Sequence, residues 1–527
     1  MDAEAIIRSS AAARFRPGFR RFSALLSTSW YLDALNVALL VAGVVLLYGL
    51  STHFVPTGAD AGNWLGIANE RLGRDVMAAD VTYLPLFPGL LAGLLSMWGP
   101  IAGFDIAAII TIIALAAAVY ICTRTLGRGY ALAAAIVTVT AGNQVEAYAW
   151  GGYPQLLATS FGMLATFFLL RYYDTRLSRH VWTGLILVAA TLATHALIGG
   201  LLVAALVVST GYWIGLARPK QGRLSAFLIG LTCAAVAGVV VLISSVWVPE
   251  GVVPTLNPEN TGRLESLLKT VREAPVPWAI VTAAAIAVLF RRRRTPAVAA
   301  TVASGISWAL VGLAFFLVTA EPRGLMVAQV GVVVSAFVTF ADVFSSLNAK
   351  RRAGDPAARV RVVGYPLLII ACVSLFSSLV VSGLATYATS VEWYRLVDDP
   401  ELASLDRLRA ISTADDLVIA SRGRQSMPVG WWTQGYAQRR TYSGHNAAYL
   451  AFPDERGQAE LANTFFSGDL SDAAALSLLD STGADFVVVD RRGPDARWLR
   501  SDLAQTFTVV DDSSNIVILE APQGVAP

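Results

Sequence analysis

The sequence is poor in charge, in histidine and in cysteine. Of its 527 residues only 15% are charged and 55% are hydrophobic, whereas roughly 25% of residues are charged in soluble domains. Cys122, Cys233 and Cys372 lie in apolar runs, away from any CxxC or Cys/His spacing, so neither a disulfide framework nor a zinc site is indicated. The formal net charge of +3 is too small to indicate nucleic-acid binding. The composition is that of an integral membrane protein.

Nucleotide-binding motifs and internal repeats are missing as well. The chain has no GxxxxGK[ST] loop, and no GxGxxG follows a predicted strand. No repeat or low-complexity tract stands out. The sequence therefore gives no sign of a nucleotide-binding loop or of a repeat architecture.

Long apolar runs occupy most of the chain. A membrane span needs about 20 apolar residues, and the run at 181–216 is long enough for two spans. We split that run at the polar, glycine-containing stretch around His195. The result is a polytopic α-helical membrane protein with about 11 transmembrane helices. The predicted spans are 34–50, 105–123, 130–143, 155–173, the two halves of 181–216, 224–247, 278–290, 299–319, 324–346 and 362–386.

Basic residues gather on one side of these spans. The arm at 1–33 carries five arginines, and no small-residue cleavage site follows at once, so we expect a retained signal anchor. The basic loops at 291–294 and 350–352 fall on the same side as the arm. The positive-inside rule makes that side cytoplasmic. We expect a multi-pass protein of the cell (plasma) membrane with a cytoplasmic N-terminus.

The apolar segment 83–98 decides the parity of the spans. If it crossed the membrane, every later basic loop would move to the outside. It has only about 15 residues and contains Pro85 and Pro88, so we interpret it as re-entrant or interfacial. The transmembrane domain then covers 34–386 and includes a large first outer loop at 51–104.

The C-terminal part has a different pattern. Short apolar strands and amphipathic helices alternate after residue 387. The helical patterns lie at 401–411, 456–466 and 472–482, and the strands at 416–420, 485–490 and 516–519. This pattern predicts a small α/β domain over 387–527 on the extracytoplasmic side.

Asp60 is the candidate catalytic residue. It opens an amphipathic stretch in the first outer loop, where Ala61, Trp64, Leu65 and Ala68 recur at helical spacing. A carboxylate at the membrane surface can act as a general base toward a lipid-borne substrate, which is worth roughly 10²- to 10⁴-fold in rate. The alternative is a helix N-cap, a role for which Asp is favoured.

The same parity brings Glu146, His195 and the turn with Glu321 and Arg323 to the outer face. Glu146 either binds substrate hydroxyls or a metal, or is a solvated loop charge. His195, one of four histidines, either donates to a phosphate or caps a helix end. Arg323 suits a donor phosphate because its guanidinium matches phosphate oxygens. The alternative is a local pair with Glu321, worth at most about 1 kcal/mol if exposed.

Aromatic residues accompany these charges. Trp150 and Tyr153 either belong to an interfacial belt or line a substrate site. Trp431 and Trp432 suit an acceptor groove or a partner interface. We expect substrate contacts from Tyr153, Trp431 and Trp432 together with Glu146 and Glu321. Lys269 and Arg272 lie in the 249–277 loop, which we interpret as a mixed-charge surface helix.

The order of these parts resembles the GT-C superfamily of polyprenyl-phosphate-dependent glycosyltransferases over nearly the whole chain. The segment 84–89 is similar to the proline-rich segment after the acidic loop of protein O-mannosyltransferases, aminoarabinose transferases and oligosaccharyltransferase catalytic subunits. The segment 431–436 resembles the WWDYG signature of the last group. Its Asp and Tyr are Thr433 and Gln434 here, so we interpret the chain as a relative and not as an oligosaccharyltransferase.

The resemblance implies a membrane glycosyltransferase that moves a sugar from a polyprenyl-phosphate donor to a glycan, lipid or protein acceptor on the outer face. It implies that Asp60 is catalytic and that Arg323 and His195 bind the donor phosphate. Glu146 falls where oligosaccharyltransferases carry a second acidic motif. The first loop lacks a DxD motif, so a divalent metal such as Mg²⁺ or Mn²⁺ is less favoured than none, and no cofactor is firmly predicted. The alternatives are a lipid or glycan transporter or flippase, or a non-catalytic scaffold with an outer binding domain.

Overall fold

The computed structural model describes residues 30–49, 58–79, 81, 83–217, 276–292, 296–319, 321–353, 364–447, 450 and 452–522. Most of the N-terminal arm, the predicted span at 224–247, Cys233 and the loop with Lys269 and Arg272 lie outside these ranges. Cys122 and Cys372 are buried free thiols.

Within the described ranges, the chain is mainly helical up to residue 394. The helices are α1 Trp30–Val44, continued by a π-helical turn at Val45–Gly49, α2 Ala61–Arg71, α3 Leu86–Trp98, α4 Pro100–Thr123, α5 Arg128–Val139, α6 Gly142–Trp150, α7 Tyr153–Thr175, α8 Ser178–Thr194, α9 Ala196–Ala217, α10 Val276–Arg292, α11 Pro296–Thr319, α12 Arg323–Ala353 and α13 Gly364–Tyr394. Within the described ranges, six helices are long and apolar enough to cross a membrane, and several shorter apolar helices accompany them. The prediction of a helical, multi-pass membrane protein is confirmed, while the count of about 11 spans stays a prediction.

Two details of the helices match the sequence patterns. The backbone at His195 is extended, with φ −157° and ψ 115°, and it separates α8 from α9 as predicted. Helix α3 has 13 residues, which corresponds to about 20 Å and is shorter than the hydrocarbon core of about 30 Å. Gly99, at φ 79°, turns the chain from α3 into α4, and a left-handed backbone of this kind favours glycine.

Helices α11 and α12 pack backbone to backbone, and this packing fixes where α12 begins. A Cβ atom added to Gly312 would lie 2.5 Å from the Ala328 nitrogen, and one added to Gly324 would lie 2.8 Å from the Phe316 nitrogen. Small residues allow membrane helices to approach this closely. The hairpin thereby holds Arg323, the first residue of α12.

An ion-pair cluster ties α1 to its neighbours at the end near the basic arm. The Asp33 carboxylate accepts hydrogen bonds from Arg124 Nε at 2.6 Å and from Arg128 Nε at 3.0 Å. The Tyr120 hydroxyl donates to the same carboxylate at 2.8 Å. One acid therefore fastens α1 to both α4 and α5.

The C-terminal part folds into an α/β unit. Its helices are α14 Asp399–Ile411, α15 Val429–Gly435, α16 Pro453–Ser467 and α17 Asp472–Thr482, and its strands are β1 Leu417–Ala420, β2 Arg440–Ser443, β3 Ala484–Asp490, β4 Thr508–Asp511 and β5 Ile516–Glu520. The sheet order is β2-β1-β3-β5-β4, with β1 parallel to both β2 and β3 and with β5 antiparallel to β3 and β4. The three predicted strands are present, and the two that the patterns missed are short edge strands.

The α/β unit packs on the first outer loop through α2 and α15. A Cβ atom on Gly62 would lie 2.5 Å from the Trp431 carbonyl carbon, so the two helices touch with no side chain between them. Asn69 Nδ2 donates to the Gly435 carbonyl at 2.8 Å, and Gln458 Nε2 donates to the Ala78 carbonyl at 2.7 Å. These contacts bring the α/β unit close to Asp60.

Candidate active site

Asp60 lies in the turn that opens α2, against the turn at Gly151. Its backbone N–H donates to the Trp150 carbonyl at 3.3 Å, and Trp64 Nε1 donates to the Gly151 carbonyl at 2.9 Å. Gly151 has φ 102°, and a Cβ atom there would lie 3.0 Å from the Asp60 Cβ. The turn before α2 and the turn between α6 and α7 are therefore held together at the candidate catalytic residue.

The Asp60 carboxylate does not cap α2, although the residue occupies the N-cap position. Its backbone is helical, at φ −82° and ψ −6°, and its side chain makes no cap hydrogen bond. An N-cap residue normally has an extended backbone that points its side chain at the first turn. The side-chain cap that was the alternative for Asp60 is therefore absent.

The surroundings of Asp60 adjust its acidity. Burial raises the pKa of the Asp60 carboxyl to about 6, and the nearby Arg323 guanidinium acts in the opposite direction. A carboxyl with this pKa is largely ionised at neutral pH and is more basic than an ordinary aspartate. These are the properties that a general base needs.

Trp150 contacts Arg323 as well as Asp60. Its guanidinium carbon lies 5.4 Å from the centre of the Trp150 ring, within the range of a cation–π contact. Its Nε lies 3.3 Å from Glu321 Oε1, so the local pair that we weighed as an alternative is present. The two side chains are still 39% and 31% exposed, so the guanidinium remains accessible to an anion.

His195 and Tyr83 complete the group around Arg323. Burial, together with the charge of Arg323, lowers the pKa of His195 to about 3, which keeps its imidazole neutral. Its Nδ1 accepts the Ile198 N–H at 3.5 Å, so the predicted capping role is present and the ring proton belongs on Nε2. The Tyr83 ring lies edge-on to the imidazole at 6.4 Å. The charges of Arg323 and Asp60 both act on the Tyr83 hydroxyl.

Glu146 and Tyr153 have different surroundings. Glu146 is exposed on α6, and its charge acts with that of Asp60 on the Tyr394 hydroxyl. Tyr153 is only 1% exposed and packs against Phe87 and Phe104, with ring centres 6.2 and 5.3 Å away. Tyr153 therefore lies in the core beneath the site, and substrate contact by either residue stays a prediction.

No metal-binding cluster is present in the described part of the chain: no three His, Cys, Asp or Glu side chains lie close enough to hold an ion. The charge of Arg323 acts on both the Asp60 carboxyl and the His195 imidazole.

The α/β unit contributes the carboxylate of Glu455, a residue that the sequence analysis did not single out. The Trp431 indole N–H donates to the Glu455 carboxylate, while burial and then the charge of Asp60 raise the pKa of Glu455 to about 7. Trp431 and Trp432 are 7% and 1% exposed, so both indole rings are largely buried. In the sequence Glu455 is an ordinary acid in the first turn of a helix, and only the fold brings it near Asp60.

A family model matches part of the chain. A domain family described as "6-pyruvoyl-tetrahydropterin synthase related domain; membrane protein" matches residues 81–290, which is less than half of the chain and ends before Arg323. No curated protein matches the chain.

Three solved structures cover nearly all of it. The archaeal oligosaccharyltransferase AglB from Archaeoglobus fulgidus, solved with an inhibitory peptide and a dolichol-phosphate, is 14% identical over 95% of this chain and 75% of its own, with a TM-score of 0.53. ArnT from Cupriavidus metallidurans is 14% identical over 94% of this chain and 100% of its own, with a TM-score of 0.56. The arabinofuranosyltransferase AftD from Mycobacteria is 14% identical over 94% of this chain and 42% of its own, with a TM-score of 0.55.

These neighbours define the class of fold. The chain has the fold of GT-C membrane glycosyltransferases, as the resemblance predicted. At this level of identity the match shows the fold alone. Evidence about the reaction has to come from the residues of this chain.

Proposed function

We propose that this protein is a membrane glycosyltransferase that transfers a sugar from a polyprenyl-phosphate donor to an acceptor hydroxyl at the outer face of the membrane. The observation that carries the proposal is the arrangement around Trp150. Its carbonyl holds the Asp60 backbone and its ring packs on the Arg323 guanidinium. An acid suited to act as a base and a guanidinium suited to bind an anion both contact Trp150, and this arrangement supports the proposal.

In the proposed reaction the donor phosphate lies near Arg323 and the polyprenyl chain lies between helices. Arg323 stands at the N-terminal end of α12, where the helix dipole also favours an anion. The neutral His195 donates through its Nε2–H to a phosphate oxygen. Both groups stabilise the charge that grows on the phosphate as it leaves.

Asp60 activates the acceptor. Its carboxylate takes the proton from the acceptor hydroxyl while the hydroxyl oxygen bonds to the anomeric carbon. The bond between that carbon and the phosphate oxygen breaks, and its electron pair leaves with the lipid phosphate. The raised pKa of Asp60 improves its proton affinity and still leaves it ionised at neutral pH.

The proposed topology follows from the charge distribution. We infer a cytoplasmic N-terminus in the plasma membrane, about 11 spans and an extracytoplasmic α/β unit, because the basic loops share one side. This orientation puts Asp60 and Arg323 on the side opposite the basic arm.

The test is sugar transfer from synthetic polyprenyl-phosphate sugars by the purified protein, with and without EDTA. The variant is Asp60→Ala, and the matched control is Asp75→Ala, which removes an exposed acid from the same outer loop. We expect wild type and control to turn over alike, and Asp60→Ala to bind donor but lose roughly 10²- to 10⁴-fold in rate. Equal rates in both variants would remove Asp60 from the mechanism. No turnover with any donor would count for a transporter or a scaffold.

A further inference from the structure

The nine-residue helix α6 contacts both members of the proposed site. Its last residue is Trp150, whose carbonyl accepts the Asp60 N–H and whose ring lies on the Arg323 guanidinium. Its first residue, Gly142, packs on α13, where an added Cβ atom would lie 3.2 Å from the Ser382 Oγ. Helix α6 is therefore packed against α13 at one end and contacts the site at the other.

A buried glutamine in the first turn of α6 makes a second contact with α12. Gln144 is 1% exposed, and its Nε2 donates to the Met326 carbonyl at 2.7 Å. Met326 lies in the first turn of α12, close after Arg323. A carbonyl oxygen has two lone pairs, so it can accept this bond in addition to one within its own helix. Helix α6 thus contacts both the backbone of the first turn of α12 and the guanidinium that this turn carries.

The start of α12 is held by two neighbouring helices. Gly324 lies against α11, where an added Cβ atom would be 2.7 Å from the Gly312 carbonyl oxygen. The hydrogen bond from Gln144 ties the same turn to α6. A helix that is held by one neighbour can still slide or turn against it, whereas contacts with two neighbours restrict both movements. The main-chain position of Arg323 is thereby fixed.

The hydrogen bond from Gln144 supplies a direction that apolar packing does not. The hydrophobic effect depends on the buried area and is non-directional. An N–H···O bond instead requires a donor–acceptor distance of about 2.7–3.2 Å and a nearly straight angle. Burying an amide without a partner costs free energy, and an apolar side chain of similar shape serves stability as well. An amide at this position therefore points to a need for accurate placement of α12.

We propose that Gln144 is a positioning residue for Arg323 and that α6 sets the placement of the guanidinium relative to Asp60. Through Met326, Gln144 fixes the backbone from which the guanidinium extends. Trp150 fixes the guanidinium itself. A misplacement of about 1 Å can cost about 10²-fold in rate, so a fixed guanidinium matters for a phosphate that has to leave. The role in donor binding rests on the function proposed above.

The test is binding of a synthetic polyprenyl phosphate without a sugar to the full-length protein in detergent. Gln144→Met keeps the length of the side chain and removes the donor. The matched control is Gln329→Met, which replaces a buried glutamine of α12 whose Oε1 finds no partner among the described residues. We expect Gln144→Met to weaken binding about three- to tenfold, the usual contribution of one hydrogen bond, and Gln329→Met to bind like wild type.

A double-mutant cycle with Arg323→Lys separates positioning from a general loss of structure. The lysine ammonium is a flexible point charge with no planar fork to orient, so in this background Gln144→Met should change the affinity by less than about twofold. A loss of the same size in both backgrounds would overturn the proposal, and so would equal affinity of Gln144→Met and wild type. If Gln144→Met fails to fold, Gln144→Asn takes its place in the cycle with the same expected outcomes, because it keeps the amide but shortens its reach by one methylene group.

Release of sugar from a labelled donor by wild type tests the proposed function separately. If wild type turns over donor while its affinity for polyprenyl phosphate does not depend on Gln144, only the positioning role is wrong. If polyprenyl phosphate binding depends on Gln144 through Arg323 but no donor turns over, the positioning role stands and the proposed transfer is wrong.

Discussion

Replacing Asp60 by asparagine should make the protein more stable at alkaline pH and catalytically weak. In the folded protein the pKa of Asp60 is about 6, compared with an ordinary value of 3.8. The folded state therefore holds the proton more tightly than the unfolded state, and ionisation of Asp60 costs folding free energy. Asparagine keeps the shape and removes the charge.

The size of the effect follows from the shift. A difference of one pKa unit corresponds to 1.36 kcal/mol. The difference of about two units for Asp60 therefore sets an upper bound of about 3 kcal/mol on the gain in folding free energy. Asp60 is partly exposed, and solvent screening reduces the expected gain to about 1–2 kcal/mol. The gain should be complete well above pH 6 and should shrink as the pH falls, disappearing below about pH 4, where the carboxyl is protonated in both states.

The assay is thermal unfolding in detergent at pH 8 and at pH 4, together with turnover at pH 8. We expect Asp60→Asn to melt higher than wild type at pH 8 only, and to lose roughly 10²- to 10⁴-fold in rate. Asp75→Asn, an exposed acid, should match wild type in both assays. A lower melting temperature for Asp60→Asn at pH 8 would show that the carboxylate has a structural partner, and the reasoning from burial would be refuted.

Three further outcomes are expected. Turnover of wild type should rise with pH through about 6, the pKa of Asp60, and then stay level to pH 8, because His195 has a pKa of about 3 and remains neutral; kcat/KM against pH checks this. Arg323→Lys keeps the charge but loses the planar fork, so donor-lipid affinity should fall about tenfold in a binding assay. Gly62→Ala forces a Cβ atom to within 2.5 Å of the α15 backbone and should cost about 1–3 kcal/mol in thermal unfolding, whereas Gly89→Ala, with open space around it, should not destabilise.

The sequence predicts the helical part well because apolar runs report directly on burial in a membrane. The break at His195 is readable because a polar residue with glycines interrupts a run that is too long for one span. The strands at Leu417–Ala420, Ala484–Asp490 and Ile516–Glu520 are readable because their apolar runs are buried. Strands β2 and β4 have four residues each and lie at the sheet edges, where polar residues are tolerated and the pattern fades.

The site is harder to predict because its members are distant in the chain. Asp60 looks like an N-cap in the sequence, but its backbone is held by the Trp150 carbonyl, and this tertiary contact overrides the local preference. In the sequence, Tyr83 is only the first residue of an apolar segment. Glu455 is only an acidic residue in the first turn of a predicted helix. The charge of Asp60 acts on both residues, and only the fold brings them within its reach.

The direct contact between α2 and α15 limits how this protein can be re-engineered. Gly62 and Gly435 leave no side chain at the junction that could adjust to a new neighbour. An α/β unit taken from another protein will fit only if its backbone is also free of side chains at this point. The two parts are therefore not interchangeable with those of other proteins, and a chimera should keep the pair of glycines.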